Sequence, residues 1–258
     1  MQNHHNWVFI RGLAREGEHW GQFRQNFATK ISQQDVVCLD LPGTGKFNQI
    51  NSPTTISEIT NFVVGNLKKS HPHFLSDGFS IAAVSMGGMV AVEWAIHHPK
   101  GVQGLVIANS SFQGLSKFYQ RLKPTIYPHL LNIIRTKNIE DREAKILKMV
   151  SNDEVKQKEA LPRWLEIQRL RPMALINFFK QIFAASFYKF PKNEIPKIPV
   201  LLLASESDRM VNPVCSKNIA QRWGCEIRYH PTAGHDIVLD AGDWVITQIA
   251  EWLKPKKP

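Results

Sequence analysis

The chain has 258 residues, a formal net charge of +10 and only three cysteines. Its length suits one large domain with an insertion, and its apolar fraction of 43% is ordinary for a globular protein. No run approaches the roughly 18 to 20 apolar residues that span a bilayer, and the first residues lack the basic-then-apolar plan of a secretory signal. The cysteines are too scattered for a disulfide framework or a zinc site. These features predict a cytoplasmic protein without a metal or another cofactor.

Apolar runs alternate with helical stretches through the first 112 residues. Thr55 is predicted to begin one of the helices, since Glu58 follows it at the spacing of a capping box. Strands are predicted at the short apolar runs, 7–10, 36–41, 81–84 and 102–109. Strands that alternate with helices of this length indicate a mostly parallel sheet with helices on both faces.

The pattern changes between residues 113 and 192. Apolar residues recur there with the period of a helix, no convincing strand accompanies them, and 16 Lys and Arg stand against 7 Asp and Glu. We therefore predict a helical cap at 113–192, inserted into a core domain made of 1–112 and 193–258. The alternative is that these helices simply cover the sheet.

The alternation resumes in the last third of the chain. Strands are predicted at 198–204 and 226–230, with a helix from 213 to 223 between them and an amphipathic helix at the end. The predicted fold class is α/β, a mostly parallel central sheet flanked by helices and interrupted by a helical insertion.

One stretch, residues 79–98, has the order of a nucleophile elbow. An apolar strand runs into Ser85, two glycines follow, and a helix begins. Ala83 stands where the first glycine of G-x-S-x-G is usual. A Cβ at Gly87 would strike the incoming strand, and Gly88 allows the helix to pack closely. The alternative is a glycine-rich helix start without catalytic meaning.

Three polar residues follow the carboxyl ends of predicted strands: Ser85, Asp208 and His235. Ligands bind at this edge of open α/β sheets. A serine hydroxyl becomes a nucleophile when a histidine takes its proton, and a buried acid holds that histidine in the required tautomer. Taken singly, Asp208 reads as a turn cap and His235 as an ordinary polar side chain. Their joint order, Ser, Asp, His, predicts a catalytic triad.

The chain resembles the α/β-hydrolase superfamily over essentially its whole length. The resemblance rests on R-G-L-A near the first strand, D-L-P-G-T-G, A-V-S-M-G-G, S-D-R-M-V and A-G-H-D. It is most similar to small bacterial esterase-like members with a helical cap. The resemblance implies an oxyanion hole made by the backbone N–H groups of Leu13 and Met86. The family commonly has His-Gly in the first of these loops, where this chain has Arg11 and Gly12.

The resemblance and the residues together predict hydrolysis of a carboxylic ester or thioester through an acyl-Ser85 intermediate. The basic cap leaves two interpretations open: a solvated surface, or a field that attracts an anionic substrate or partner. Acyl-carrier-protein and coenzyme A esters fit the second, as in the pimeloyl-carrier methyl ester esterases of the superfamily. A catalytically silent binding module is the remaining alternative.

Other partners are not expected. We find no nucleic-acid recognition motif in the basic region. Four cap phenylalanines are predicted to line the active site, with association with a membrane as the alternative and no stable insertion expected; they are Phe178, Phe179, Phe183 and Phe187. The sequence leaves open whether the chain is a monomer or a dimer.

Overall fold

The computed structural model describes residues 6–32, 35–190 and 194–255. Its centre is a sheet of six parallel strands in the order β2-β1-β3-β4-β5-β6. The strands are β1 (Asn6–Ile10), β2 (Val36–Leu39), β3 (Phe79–Val84), β4 (Val102–Ala108), β5 (Val200–Ser205) and β6 (Glu226–His230).

Helices connect the strands and cover both faces of the sheet. They are α1 (Gln22–Phe27), α2 (Ile56–Ser70), α3 (Phe74–Asp77), α4 (Met86–His97), α5 (Phe118–Arg121), α6 (Tyr127–Arg135), α7 (Ile139–Val150), α8 (Glu154–Leu170), α9 (Leu175–Phe187), α10 (Val214–Trp223) and α11 (Ile237–Trp252). Short 3₁₀ turns lie at Gly17–Trp20, Gly45–Phe47 and Pro124–Ile126, and a π turn at Ala28–Ser32. Within the described ranges, no helix is long and apolar enough to cross a membrane.

The side chains of successive strand residues point to opposite faces of the sheet, as the two-residue period of a strand requires. In β1, Val8 and Ile10 join the core under α2 and α4, whereas Trp7 and Phe9 join the core under α1 and α11. All four side chains are fully buried. Burial on both faces explains why residues 7–10 of β1 are a continuous apolar run, whereas the partly buried edge strand β6 contains polar residues.

The predicted α/β class is confirmed, and the element boundaries shift by a few residues. The second strand ends at Leu39 rather than at residue 41, because Asp40 accepts hydrogen bonds from Gly17 N (2.7 Å) and Lys46 N (2.9 Å) and begins a loop. Thr55 caps α2 as predicted, its side chain accepting from Glu58 N at 3.2 Å.

The segment between β4 and β5 is helical. It contains α5 to α9, and its described part has only isolated bridges, from Gln113 to Ser116 and Lys189, in place of strands. The division of the chain into a core and a cap at 113–192 stays a prediction. These helices lie over the carboxyl ends of the strands, where the predicted site residues gather.

Candidate active site

Ser85 occupies a sharp turn between β3 and α4. Its φ of 56° and ψ of −123° lie in a region that side chains with a Cβ rarely adopt, and such strain is held only where the surroundings fix it. Two contacts fix it here: Ser85 N donates to Ala108 O at 2.9 Å, and Ser110 Oγ donates to Ser85 O at 2.8 Å. The strand–turn–helix order therefore has the geometry of an elbow.

The two glycines after Ser85 permit close packing. A Cβ on Gly87 would lie 2.6 Å from Ile10 O, so the obstacle is the end of β1 and not, as predicted, the strand that leads into the turn. A Cβ on Gly88 would lie 2.7 Å from Ile107 Cγ2 in β4. Ala83 is buried in β3 and takes no part in the turn's strain.

Replacing Gly87 by alanine should lower the free energy of unfolding by about 1 to 3 kcal/mol, because the new Cβ meets backbone atoms that cannot rotate away. Gly65 supplies the control, since nothing lies within 4 Å of a Cβ built in that position of α2. Gly65→Ala should raise the free energy of unfolding by about 0.5 to 1 kcal/mol. Urea unfolding measures both, and equal effects of the two substitutions would contradict the packing argument.

Asp208 and His235 form a buried pair at the ends of β5 and β6. His235 Nδ1 lies 2.7 Å from Asp208 Oδ2, and the other carboxylate oxygen accepts from Met210 N (2.7 Å) and Val211 N (3.0 Å). Lys123 donates to the carbonyl of Asp208 at 2.5 Å. Both oxygens of the Asp208 carboxylate are therefore hydrogen bonded. Because Asp208 occupies Nδ1 of His235, Nε2 is the ring nitrogen of His235 that is available for proton transfer.

The surroundings set the basicity of His235. Burial lowers the pKa of its imidazole, but the charge and the hydrogen bond of Asp208 raise it by more, so the pKa lies above its ordinary value of 6.5. The charge of Asp236 raises this pKa further and that of Arg11 lowers it. A histidine with a raised pKa is a stronger base. As the pH falls, it also becomes protonated, and so inactive as a base, at a higher pH than an ordinary histidine.

The loop after β1 lies against the elbow. A Cβ on Gly12 would approach Ser85 Cβ to 3.0 Å, so any other residue would force the loop or the elbow to shift by a few tenths of an ångström. Leu13 and Met86, whose N–H groups were predicted to form an oxyanion hole, both line the cavity beside Ser85. Neither N–H donates to another group in the ranges that the structure covers, and Met86 is the first residue of α4, where N–H groups lack helical partners.

A buried ion pair joins this loop to the residue after His235. The two terminal guanidinium nitrogens of Arg11 donate to Asp236, Nη1 to Oδ1 at 3.1 Å and Nη2 to Oδ2, and both side chains are about 4% exposed. Sequence reasoning noted Arg11 and missed its partner. The available signal was that Arg11 directly follows the buried strand β1 and Asp236 directly follows the predicted site residue His235, positions where an unpaired charge is costly.

Asn109 and Gln181 hold the backbone of the site and were also missed. Asn109, in the left-handed region at φ 47°, donates to His235 O at 2.9 Å and accepts from Ser205 N at 2.8 Å. Gln181 of α9 is fully buried and accepts from Ala14 N at 3.1 Å. The signal for Gln181 was an amide at helical spacing from Asn177 in a mostly apolar helix.

A second arginine of the same loop is fixed inside the cavity wall. Arg15 lies over the ring of Trp164 at 4.1 Å and pairs with Glu143 at 3.3 Å. Glu143, on α7, is 1% exposed. The loop after β1 is therefore tied to the helices above it by charge as well as by hydrogen bonds.

Ser85 and His235 face one cavity of about 570 Å³. Side chains of the helices between β4 and β5 supply most of its apolar wall, among them Leu130, Ile133, Ile134, Ile146, Met149, Phe178, Phe179 and Ile182. Its floor lies between β1 and β3, where the strand order reverses and where open α/β sheets bind ligands. The cavity can therefore hold an apolar group beside a serine, a histidine and two free N–H groups.

Comparison with known proteins gives one family and a consistent fold. Residues 7–242 match the family described as "Serine aminopeptidase, S33". A 2-hydroxy-6-oxononadienedioate/2-hydroxy-6-oxononatrienedioate hydrolase of Paraburkholderia phymatum is 26% identical over 255 residues, which are 95% of this chain and 82% of the relative.

Two solved structures share the fold at low sequence identity. The enol-lactonase of Burkholderia xenovorans LB400 aligns with a TM-score of 0.75 and 18% identity, over 96% of this chain and 91% of its own. The 2-hydroxy-6-oxo-6-phenylhexa-2,4-dienoate hydrolase of Rhodococcus sp. strain RHA1 aligns with a TM-score of 0.77 and 16% identity, over 98% of this chain and 92% of its own. The family match covers most of the chain, and we conclude that it belongs to the serine aminopeptidase S33 family of the α/β-hydrolase superfamily.

Proposed function

We propose that the chain hydrolyses carboxylic esters or thioesters of apolar acyl groups through an acyl-Ser85 intermediate. The observation that carries the proposal is the shared cavity: the strained Ser85 and the Asp208-bound His235 both border it. This combination supplies a nucleophile, a base and an acid that orients the base, which are the three parts that acyl transfer by serine requires.

In the proposed mechanism, Ser85 Oγ attacks the ester carbonyl carbon while His235 Nε2 takes the hydroxyl proton. The N–H groups of Leu13 and Met86 donate to the oxyanion that forms, and each such donor is worth about 2.7 to 4 kcal/mol in the transition state. The C–O or C–S bond then breaks, and His235 gives its proton to the leaving group. Water, deprotonated by His235, attacks the acyl-serine and releases the acid.

The cavity wall supports an apolar acyl group. Its aliphatic and aromatic side chains come from α6, α7 and α9, and a volume of about 570 Å³ is within the range of small-molecule pockets. The positive charge of the 113–192 segment keeps acyl-carrier-protein and coenzyme A thioesters among the candidates, since a basic surface steers anionic partners.

A second candidate is hydrolysis of a carbon–carbon bond in a 2-hydroxy-6-oxo-dienoic acid. The relative from Paraburkholderia phymatum bears such an activity in its name. Arg121, which borders the cavity, favours a substrate with a carboxylate: its guanidinium meets only the carbonyl oxygens of Ala185 and Ser186 and no carboxylate in the part of the chain that the structure describes.

The test is a substrate series assayed with one preparation of the full chain. It contains p-nitrophenyl esters of increasing acyl length, an enol-lactone, a 2-hydroxy-6-oxo-dienoic acid, and acyl thioesters of coenzyme A and of an acyl carrier protein. We expect ester hydrolysis with an optimum at medium acyl length, because the cavity wall is apolar but its volume is limited.

The series separates the two candidates by the value of kcat/KM. Cleavage of the dienoic acid well above that of every ester would replace the ester hydrolase by the carbon–carbon hydrolase. A folded chain with no activity on any member would contradict both candidates and favour the binding module.

A further inference from the structure

Helix α9 buries two amide side chains and exposes five large apolar ones. Asn177 and Gln181, one turn apart, are 3% and 0% exposed. Asn177 accepts from Ser52 N at 2.9 Å and donates to Ile50 O at 3.1 Å, while Gln181 donates to Pro42 O at 3.2 Å. The inward face of the helix is therefore held by the hydrogen bonds of these amides as well as by the packing of Ala184 in the core.

The outward face of the same helix is a continuous apolar stripe, which we call the α9 stripe. Its five side chains recur at helical spacing and are 47 to 63% exposed: Leu175, Ile176, Phe179, Phe183 and Phe187. An ordinary surface helix has the opposite arrangement, with its apolar side chains toward the core. Contiguous exposed apolar surface of this kind marks an interaction site.

Aromatic residues of α5 extend the apolar surface beyond the stripe. Phe118 and Tyr119 are 65% and 52% exposed. Arg121 of the same short helix donates to Ala185 O (2.6 Å) and Ser186 O (2.8 Å), which ties α5 to the C-terminal end of α9. We call the α9 stripe together with Phe118 and Tyr119 the apolar face.

The apolar face is continuous with the mouth of the cavity. Phe118 and Phe179 belong to both, since each is exposed to solvent and also lines the cavity that Ser85 borders. Phe183 and Phe187 were predicted to line the active site; this prediction is wrong, because both side chains lie outside the cavity lining and are more than half exposed. An apolar molecule bound at this face would be at the entrance of the cavity.

The two segments that contain the apolar face carry basic residues and no acidic ones. Segments 113–139 and 167–190 contain nine Lys and Arg, five in the first and four in the second, and no Asp or Glu. Lys117, Lys180 and Lys189 lie in these segments and form no ion pair with another described residue. A second copy of the chain would bring two positive surfaces together, whereas an anionic surface would neutralise them.

We propose that the apolar face docks on an anionic lipid surface, with the α9 stripe entering the headgroup boundary and the lysines contacting lipid phosphates. A helix with one large apolar face and cationic flanks has the composition that binds such interfaces. This docking goes beyond the proposed function. Its consequence, that apolar esters enter the cavity directly from the lipid, rests on that function.

The test is flotation of the full-length Ser85→Ala chain with lipid vesicles, so that no lipid is cleaved. One set of vesicles is phosphatidylcholine alone, and the other is phosphatidylcholine mixed with phosphatidylglycerol. We expect binding to the mixed vesicles that weakens as salt is added. Adding Phe183→Ser and Phe187→Ser should lower the partition coefficient by at least about tenfold, because both side chains lose the apolar area that enters the lipid.

Matched variants exclude a general loss of structure. Val155→Ser on α8 removes an apolar side chain that is 63% exposed, as Phe187 is, from outside the apolar face and should leave binding unchanged. Lys117→Gln with Lys189→Gln should weaken binding to the mixed vesicles only. Thermal unfolding of each variant checks that it is folded.

Several results would overturn the proposal. The first is that the Phe183/Phe187 variant binds vesicles as well as its parent does, and the second is that the parent binds neither kind of vesicle. The third is that the parent is a dimer that the two serine substitutions dissociate. The fourth is that the parent binds an acidic acyl carrier protein and does not bind vesicles. Because docking is measured in a chain that cannot form an acyl-serine, its failure and the failure of the proposed chemistry are separate results.

Discussion

Replacing Ser85 by alanine should lower kcat for ester hydrolysis by about 10⁶-fold and leave the fold intact, because alanine keeps the Cβ and removes only the nucleophilic oxygen. Asp208→Asn should lower kcat by about 10⁴-fold, since an amide presents the wrong partner to His235 Nδ1 and favours the unproductive tautomer. Residual hydrolysis above the rate in water would come from the two N–H groups of the oxyanion hole.

The double variant Ser85→Ala, Asp208→Asn gives the sharper test. If the residues act as one unit, it should be no slower than Ser85→Ala alone. Rates that multiply would mean that Asp208 acts independently of the serine, for example as an ordinary stabiliser of the loop before Met210 and Val211. Mass spectrometry of wild type quenched during turnover should find the acyl group on the peptide that holds Ser85, and a label on another residue would contradict the mechanism.

Much of the fold follows from local signals in the sequence. A buried parallel strand needs a short apolar run, and β3 and β5 are such runs, so their positions and the sheet class were predictable. Ser85 follows β3 directly, and Asp208 and His235 lie three and five residues beyond the ends of β5 and β6. Parallel strands place their carboxyl ends at one edge, so the placement of these three residues at the same edge of the sheet followed from the strand assignment.

Contacts between distant residues could not be predicted in this way. Arg11 and Asp236 are 225 residues apart, and Ala14 and Gln181 are 167 apart. Each pair depends on how two loops approach above the sheet, which no local period encodes. The site was therefore predictable in its three central side chains, and the framework that holds them was not.

The orientation of α9 shows a different limit. The helical period correctly indicates that apolar residues recur along one side, but a period cannot say whether that side faces the core or the solvent. Asn177, Lys180 and Gln181 form a narrow polar strip of the helix, and such a strip predicts the solvent side. The loops at Ser52 and Pro42 instead present backbone groups that need partners, and the amides turn inward to meet them.

Among single substitutions at the site, one that breaks the buried pair of Arg11 and Asp236 should cause the largest decrease in the free energy of unfolding. Arg11→Gln leaves the Asp236 carboxylate buried without its cation and should lower the free energy of unfolding by about 3 to 5 kcal/mol. Lys30→Gln is the control: it removes an ion pair of similar chemistry, with Asp243, in which both side chains are more than half exposed. Exposed pairs are worth about 0.2 to 1 kcal/mol, and urea unfolding should resolve the difference.

The same pair should tune the base of the proposed triad, since both of its charges act on His235. In wild type we expect kcat/KM to fall on acidification with an apparent pKa above 6.5, because His235 must be neutral to take the serine proton and its pKa is raised. Arg11→Gln removes a charge that lowers this pKa, so the acid limb should move to higher pH. Asp236→Asn removes a charge that raises it, so the limb should move to lower pH.

Shifts of the acid limb in opposite directions in the two variants would distinguish electrostatic tuning of His235 from structural damage to the site. A purely structural role of the pair predicts loss of stability and of kcat in both variants without a change in the position of the acid limb. The double variant Arg11→Gln, Asp236→Asn removes both charges but keeps two groups that can hydrogen bond, so its limb should return toward that of wild type. Shifts of the same sign in both single variants would show that the pair acts on His235 through position alone, with Arg11 anchoring the loop of Leu13 and Asp236 the start of α11.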